Sequence, residues 1–326
     1  MNFIDLPKDR TQIELSSFPF SINYQSLLFF LGSCFSENIG NQMQYFKFPT
    51  LINPLGTIYN PVSILNTLQI ISEKQQFTKK DIESSDGKYF HYSFNTLFSG
   101  NNPESTVEKM NIAVQSAHNF FKKTEIIFIT LGTSFAYQLK VSGKIVSNCH
   151  KQPASLFDRI LLDTGIIKNA LESILKITGE NKKVVFTVSP IRHLKDGLIE
   201  NQRSKAQLIS IVHQVIENHP NTFYFPAYEI MMDDLRDYRY YDESLTHLSN
   251  TAIQYIFHHF AKSLIDKTVF PVMQDIDKIK KMIQHKTIHL TNTELSDWKN
   301  KLNDGINKLA KKYPFLDFAE ERALTL

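Results

Sequence analysis

The chain has 326 residues, 42% of them hydrophobic and 12% aromatic, so it can bury a sizeable core and is not disordered. Its formal net charge of +3 is too small to indicate a nucleic-acid partner or an obligate membrane-surface partner. The first ten residues lack a basic start followed by an apolar run, the longest apolar runs are strand-sized, and there are two cysteines. We therefore expect a cytoplasmic protein without a signal peptide, a membrane span or a disulfide framework.

Short apolar runs rich in β-branched and aromatic residues predict strands that are buried on both faces. They cover residues 27–31, 125–131, 183–189 and 222–225, with a weaker run at 46–52. Apolar residues at helical spacing fill the gaps at 35–46, 112–121, 161–175, 205–216 and 253–264. This alternation predicts right-handed βαβ units, and hence an α/β fold whose open parallel sheet is covered by helices on both sides.

Two stretches interrupt the alternation and predict small β insertions. Residues 88–95 suggest a strand or hairpin, and residues 138–146 suggest a hairpin that turns at Ser142 and Gly143. Residues 275–312 are rich in lysine and carry apolar residues at helical spacing. We predict a main domain at 20–266 and a helical appendage at 267–326 that packs on the domain or on a partner.

The first candidate site is the turn formed by Gly32, Ser33 and Cys34, which leads from the first predicted strand directly into a helix. Ser33 and Cys34 are its candidate catalytic residues. Ligands of open α/β sheets bind beyond the carboxyl ends of the strands. A helix N-terminus there stabilises a thiolate or an oxyanion, which makes Cys34 a candidate activated thiol. The alternative is that Ser33 only caps the helix and Cys34 is a small buried hydrophobic residue.

His247 is the second candidate. It follows the last predicted strand by a loop and precedes a helix whose predicted N-cap is Ser249. This position places the imidazole at the same edge of the sheet, where it could act as general base for a nucleophile on the first strand. His258 and His259 lie on the following helix, where we expect surface or packing roles.

Turns after two other strands are candidates for oxyanion stabilisation. Gly132, Thr133 and Ser134 follow the second strong strand. A glycine lets a ligand approach the backbone, and the hydroxyls could donate to a developing negative charge. The turn from Asn53 to Gly56 invites the same interpretation, and an ordinary turn is the alternative at both places.

Three polar clusters at 148–151, 189–193 and 200–205 complete the candidates. Arg192, Arg203 and Lys205 could bind a phosphate or carboxylate of a substrate. The alternative for residues 200–205 is a capped, solvated helix start. Cys149, His150 and His193 are metal-ligating residue types, but their spacing is not that of a zinc site, so no metal is expected.

The segment at 32–36 resembles the signature of the GSCFA family, with Ser36 in place of its final alanine. Further blocks similar to that family are found at 53–61, 130–133, 148–151, 187–193, 200–206 and 228–239. The resemblance spans roughly residues 27–260. The GSCFA family is itself similar to the SGNH (GDSL-type) hydrolase superfamily, which implies a flavodoxin-like sandwich with a five-stranded parallel sheet.

The superfamily resemblance implies roles by position. Cys34, rather than Ser33, falls at the nucleophile, and His247 falls at the base. Gly56 resembles one oxyanion block, and Ser134 stands where the superfamily has asparagine in the other.

One departure concerns the partner of the imidazole. Ser244 stands three residues before His247, where the superfamily has aspartate. Asp242 and Glu243 are the alternative candidates to orient the ring. A serine hydroxyl orients histidine more weakly than a carboxylate does, but a thiol needs less assistance than a serine nucleophile.

The resemblance implies an esterase or acyltransferase that acts on an O-acyl group, such as acetyl, of a sugar or small hydroxylated substrate. Beyond the three basic residues, the candidates for substrate binding are Asn53, Asn60, Asn148, His150 and His193. No cofactor is expected, except that a related capsule-biosynthesis family with cysteine at the same turn binds coenzyme A, which makes coenzyme A a candidate acyl donor. A non-catalytic ligand-binding module on a degraded hydrolase fold is the third alternative.

Overall fold

The computed structural model describes residues 11–284 and 292–324. Its strands are β1 (Leu28–Gly32), β2 (Thr50–Ile52), β3 (Glu83–Ser85), β4 (Lys88–Phe90), β5 (Ile126–Leu131), β6 (Phe135–Leu139), β7 (Ile145–Val146), β8 (Phe157–Leu161), β9 (Lys183–Val188) and β10 (Thr222–Tyr224). Its helices are α1 (Cys34–Tyr45), α2 (Pro61–Ser72), α3 (Pro103–Lys123), α4 (Thr164–Thr178), α5 (Leu198–Ile216), α6 (Ala227–Glu229), α7 (Asn250–Leu264), α8 (Phe270–Gln284), α9 (Asn292–Lys312) and α10 (Ala319–Ala323).

The central sheet has five strands in the order β10-β9-β5-β1-β2, and every pairing in it is parallel. This is the flavodoxin-like order, in which the chain first builds one side of the sheet and then the other. The predicted α/β fold is confirmed. The weak fifth strand is shorter than predicted, because α1 ends at Tyr45 and Lys47 then adopts a positive φ of 63° before β2 begins.

Helices cover both faces of the sheet, because alternate side chains of each strand point to opposite sides. Leu28 and Phe30 of β1 pack with α1 and α7 on one face. Phe29 and Leu31 pack with α2, α3, α4 and α5 on the other face. Both sets are buried, which explains why the strands read as continuous apolar runs.

Two small antiparallel sheets are inserted between elements of the main fold. One pairs β3 with β4, and the other has the order β7-β6-β8. The hairpin predicted near 138–146 is confirmed, since Tyr137 of β6 pairs with Val146 of β7. The third strand, β8, was not predicted. It lies directly before α4, whose N-cap is Asp163.

The C-terminal helices pack on the main fold. Ile276 of α8 and Leu302 of α9 belong to the same buried cluster as α1 and α7. The carboxylate of Glu321, which is 1% exposed, pairs with Lys47 and Lys280. The lysine-rich pattern therefore forms helices with an apolar face against the domain and charged residues on the outside.

Some predictions fall on residues outside the described ranges. They are the expectation of no signal peptide, which concerns residues 1–10, and the part of the lysine-rich tail at 285–291. Within the described ranges, each helix is either too short or too polar to cross a bilayer.

Candidate active site

The turn after β1 is held in one conformation by its backbone. Gly32 has a φ of +136°, and a Cβ added there would lie 2.1 Å from the carbonyl oxygen of Thr130 on the neighbouring strand. Only glycine accommodates both constraints. The chain then enters α1 through Ser33, whose Oγ accepts a hydrogen bond of 3.3 Å from the N–H of Phe35.

Ser33 is therefore a helix cap. It is 1% exposed, so the prediction of Ser33 as a candidate catalytic residue is wrong, because its hydroxyl is buried in the cap. Cys34 is the first residue of α1. Its N–H belongs to the first turn of the helix, where no helix carbonyl can accept it.

The Cys34 side chain lies on the wall of a cavity of about 620 Å³ at the carboxyl ends of the strands, which we call the strand-end cavity. The cavity is also lined by Tyr59, Asn60, His193 and His247. Its size is typical of a site for a small molecule. Cys34 begins the helix after β1, Tyr59 and Asn60 follow β2, and His193 follows β9. His247 lies in the loop before α7, so the site follows from the fold.

The surroundings of the Cys34 thiol act on its pKa in both directions. Its Sγ lies 3.6 Å from the hydroxyl of Tyr59. Burial raises the pKa of Cys34, the hydrogen bond with Tyr59 lowers that pKa, and the carboxylate of Glu37 raises it again. Burial is the largest of these influences, so the pKa of Cys34 lies above its ordinary value. Activation of the thiol by the helix N-terminus stays a prediction.

A continuous set of hydrogen bonds joins the loops that build the nucleophile side of the cavity. The N–H of Gly32 donates to Asn53 Oδ1 at 2.8 Å, which ties the β1 turn to the β2 loop. The carbonyl of Tyr59 accepts from the N–H groups of Gly132 and Thr133 at 2.7 and 3.1 Å, which ties the β2 loop to the β5 loop. These long-range contacts fix the Cys34 turn within the fold.

His247 also lines the cavity, and it lies in an exposed loop. Its Nδ1 is 3.1 Å from Thr246 Oγ1 and 3.3 Å from Ser244 Oγ. Ser244 Oγ also donates to Asp242 Oδ1 at 2.5 Å, and this hydrogen bond is the largest cause of the lowered pKa of Asp242. The carboxylate therefore reaches the imidazole through the serine hydroxyl.

We call the contacts from Asp242 through Ser244 to His247 the relay. It distinguishes between the two acidic candidates. Asp242 takes part in it, whereas Glu243 has no hydrogen-bond or ion-pair partner among the described residues and does not line the cavity. Among the residues that the structure describes, no hydrogen bond joins Cys34 directly to His247. Both side chains line the strand-end cavity.

His193 and Arg192 of the β9 loop lie beside the His247 loop. The N–H of Arg192 donates to the carbonyl of Thr246 at 3.0 Å, which joins the two loops. The His193 ring stands edge-on to the ring of Tyr59, with centroids 5.7 Å apart. Burial, followed by the charge of Lys205, lowers the pKa of His193 to about 4, so this imidazole is neutral at pH 7.

Two of the predicted oxyanion donors do not face the cavity. The N–H of Gly56 donates to the carbonyl of Asn53 at 2.8 Å inside its own turn. Ser134 is fully buried, and its hydroxyl donates to groups of Ser204. Both predictions are wrong, because these donors are used within the fold. Thr133 lines the cavity, although its N–H is bonded to the carbonyl of Tyr59.

The polar candidates for substrate binding divide in the same way. Asn60 and Asn148 line the strand-end cavity. Asn53 does not, because its side chain bridges Gly32 and Glu37. His150 also lies elsewhere: its Nε2 contacts the carbonyl of His91 at 3.0 Å and its Nδ1 contacts Ser99 at 3.1 Å. The substrate-binding predictions for Asn53 and His150 are therefore wrong.

The three basic candidates also separate. Arg192 lines the cavity, whereas Arg203 is exposed, lies outside it and pairs with Glu200 at 3.4 Å. Lys205 is fully buried beneath the cavity, and its Nζ donates to the carbonyls of Gly132 and Ser189 at 2.5 and 2.6 Å. Binding of substrate by Arg203 or Lys205 is thus contradicted.

Sequence reasoning missed several residues of the site. Tyr59, the hydrogen-bond partner of Cys34, stands directly before Asn60 and could have been found as its neighbour in the 53–61 block. Arg159 of β8 and Lys195 also line the cavity. Their signal was hidden because β8 was not predicted, so nothing indicated that the inserted sheet forms a wall.

Within the described ranges, no group of three or more histidine, cysteine, aspartate or glutamate side chains is arranged to hold a metal ion. A family model described as the GSCFA family matches residues 27–260. This range includes Cys34, His247 and every other residue that lines the strand-end cavity. No curated protein and no solved structure matches the chain.

Proposed function

This chain belongs to the GSCFA family, and we propose that it is a thiol-dependent acyl-ester hydrolase or acyltransferase. Cys34 is the nucleophile and His247 the general base. The observation that carries the proposal is that the thiol at the start of α1 and the imidazole share one cavity at the carboxyl ends of the sheet.

The raised pKa of Cys34 makes a base necessary. In the first step His247 takes the thiol proton as the sulfur attacks the ester carbonyl carbon, and the carbonyl electrons move to oxygen. The C–O bond to the leaving group then breaks, and the leaving alkoxide takes the proton from the imidazolium. The products of this step are an alcohol and a thioester on Cys34.

In the second step a hydroxyl group attacks the thioester carbonyl while His247 takes its proton. The C–S bond breaks, and the thiolate recovers the proton from the imidazolium. Water as the nucleophile gives hydrolysis and a free acid. A second alcohol, such as a sugar hydroxyl, gives transfer.

The Cys34 N–H supports oxyanion stabilisation, because it points out of the first turn of α1 without a helix acceptor. We assign the second donor to Asn60. Its side chain lines the cavity, and one amide hydrogen is used on Ser63 Oγ at 3.0 Å, which leaves the other available. Asn60 thus takes the role that sequence reasoning gave to Gly56 and Ser134.

The relay from Asp242 through Ser244 supports His247 as the base. Because Ser244 gives its hydroxyl hydrogen to Asp242, its oxygen can meet His247 Nδ1 only as an acceptor, as it already does for the N–H groups of Thr246 and His247. The opposite nitrogen, Nε2, is then the one without a proton, which is the tautomer a general base requires.

Coenzyme A thioesters are the alternative acyl donor, since the cationic side chains in the cavity suit a phosphorylated carrier. A ligand-binding module without catalysis is the second candidate, favoured by the raised pKa of Cys34. Release of coenzyme A from acetyl-coenzyme A, with and without a sugar acceptor, separates transfer from hydrolysis.

The enzyme proposal is tested with a panel of p-nitrophenyl and sugar O-acyl esters. We expect Cys34→Ala to abolish turnover, and the matched Cys149→Ala to retain it, because Cys149 lines the same cavity without standing at the helix start. Equal turnover by the wild type and Cys34→Ala would reject the nucleophile. Binding of esters without turnover by the wild type would favour the ligand-binding module.

A further inference from the structure

The charges around the strand-end cavity are one-sided. Arg159, Arg192 and Lys195 line it, and no carboxylate among the described residues does so. The positive charge of Arg159 is compensated, because its guanidinium makes a bidentate contact with Asp196 at 2.8 and 2.5 Å. Arg192 and Lys195 have no carboxylate within ion-pair distance among the described residues.

Arg192 is held in place although it has no acidic partner. Its Nε donates to the hydroxyl of Tyr241 at 3.2 Å, and its Nη2 lies 3.1 Å from the sulfur of Met232. Neither contact neutralises the charge. The guanidinium is thus fixed before any ligand arrives, and it retains donors on Nη1.

Lys195 reaches the cavity from a short 3-10 turn, Leu194–Asp196. Its Nζ contacts the hydroxyl of Tyr137 and lies 4.7 Å from the centre of that ring. Arg159 lies 4.6 Å from the centre of the same ring. The aromatic side chain therefore holds two cations at one wall of the cavity.

The carboxylate of Glu37 does not cancel this charge either. Glu37 affects Cys34, but its carboxylate is bonded to Asn53 and Thr57 and does not line the cavity. Beneath the floor, the buried Lys205 has carbonyl groups and no carboxylate as its partners. A concave site with low-dielectric walls and charge of one sign concentrates ligands of the opposite sign.

We propose that the substrate of this cavity carries an anionic oxygen group, a carboxylate or a phosphate, that is bound by Arg192 and Lys195. The inference rests on the proposed function, since it names the substrate class of the same site. A planar guanidinium binds either group in a bidentate manner, and the ammonium adds a point charge. The neutral sugar esters expected from the sequence are then poorer substrates than anionic ones.

The test uses Cys34 as a reporter and needs no turnover, so its failure is distinct from failure of the enzyme proposal. In the full chain carrying Cys149→Ala, Cys34 is the sole cysteine. Its alkylation rate is measured with negatively charged iodoacetate and with neutral iodoacetamide. The ratio of the two rates cancels the thiolate fraction and reports the local potential.

We expect this ratio to exceed that of N-acetylcysteine by about tenfold at low ionic strength and to fall as salt is added. Arg192→Gln and Lys195→Gln should each lower it about threefold. Lys168→Gln, which removes an exposed charge on α4 outside the cavity, should leave it unchanged. A ratio equal to that of N-acetylcysteine, or one insensitive to both cavity substitutions, overturns the proposal.

The two sources of negative charge are separated by protection. Inorganic phosphate and acetate are compared at equal ionic strength for their ability to slow alkylation of Cys34 by iodoacetamide. Protection by phosphate alone supports a phosphorylated substrate, and protection by acetate alone supports a carboxylate. Protection by neither contradicts an oxyanion site.

Discussion

Two parts of the strand-end cavity are built in different ways. We call them the Cys34 wall, at residues 32–34, and the His247 wall, at residues 242–247. The Cys34 turn is buried and tied by hydrogen bonds to residues far away in sequence, such as that from Gly32 to Asn53. The His247 loop is exposed, and the contacts of its imidazole are with Ser244 and Thr246, one to three residues away. The proposed nucleophile is thus tied to the folded core, whereas the imidazole of the proposed base is held by a local turn.

This difference separates stability from activity. Changes on the Cys34 wall should lower the free energy of unfolding, because they disturb buried backbone contacts. Changes on the His247 wall should lower turnover and leave that free energy nearly unchanged. Four sets of variants test this distinction.

His247→Gln should lower kcat for ester hydrolysis by about 10²- to 10⁴-fold, the usual contribution of a general base. Its free energy of unfolding should stay within about 0.5 kcal/mol of the wild type, because the side chain is exposed. Steady-state kinetics and urea unfolding measure the two quantities. A large loss of stability with normal kcat in the folded fraction would contradict the comparison.

Gly32→Ala should lower the free energy of unfolding by about 2–5 kcal/mol, from the positive φ and the clash with the carbonyl of Thr130. Gly87→Ala is the matched control. Gly87 also has a positive φ, of +73°, but nothing lies within 4 Å of the added Cβ, so about 1–2 kcal/mol is expected. Equal losses in the two variants would show that the close approach at Gly32 does not matter.

Lys205→Met tests the buried lysine beneath the cavity through the pH dependence of the free energy of unfolding. Burial lowers the pKa of Lys205 from 10.5 to about 7, so between these values the unfolded chain holds a proton that the native chain does not. Raising the pH through this window therefore stabilises the native state, by up to about 1.4 kcal/mol per pH unit.

Urea unfolding between about pH 7.5 and 9.5 should show this rise in the wild type and lack it in Lys205→Met. We expect the difference between the two proteins to change by roughly 2 kcal/mol over that range. Parallel curves of free energy against pH would mean that Lys205 does not titrate in the window and does not make stability depend on pH.

Ser244→Ala and Asp242→Asn test the relay on the His247 wall. We expect kcat to fall about tenfold in Ser244→Ala and about threefold in Asp242→Asn, since an orienting group acts through the imidazole. Glu243→Gln, next in sequence and outside the relay, should keep the wild-type kcat. A larger effect from Glu243→Gln than from Asp242→Asn would reject the relay.

The sequence predicted the fold well because its signals were local. Continuous apolar runs indicated the five parallel strands, and the glycine, serine and cysteine at 32–34 marked a strand-to-helix turn. Cys34, directly after β1, and His247, in the loop before α7, line one cavity as expected from the sequence. Strand ends of a parallel sheet meet at one edge wherever the chain places them.

The fate of individual polar residues was harder to predict, because it depends on which way a helix face or turn points. Lys205 shows this most clearly. The segment 200–205 looked like a solvated helix start, yet Asn201, Lys205 and Leu208 form a buried stripe of α5. Their helical spacing was present in the sequence and would have placed the lysine on the buried face of the helix.

The oxyanion donors failed for a related reason. The N–H of Gly56 and the hydroxyl of Ser134 are consumed by contacts within the fold that no local pattern reveals. The cation at Lys195 was missed because a 3-10 turn brings it to the cavity. Residues of this kind can be recognised only when the fold, including the inserted strand β8, is known.

The central claim is that Cys34 carries the acyl group. It is tested by mixing the protein with p-nitrophenyl acetate, quenching in acid and measuring the intact mass and the modified peptide. We predict one added acetyl group on the peptide that contains Cys34, its removal by neutral hydroxylamine, and its absence in Cys34→Ala. Release of p-nitrophenol at the full wild-type rate with no acetyl group ever detected on Cys34, and equally in Cys34→Ala, would contradict the account.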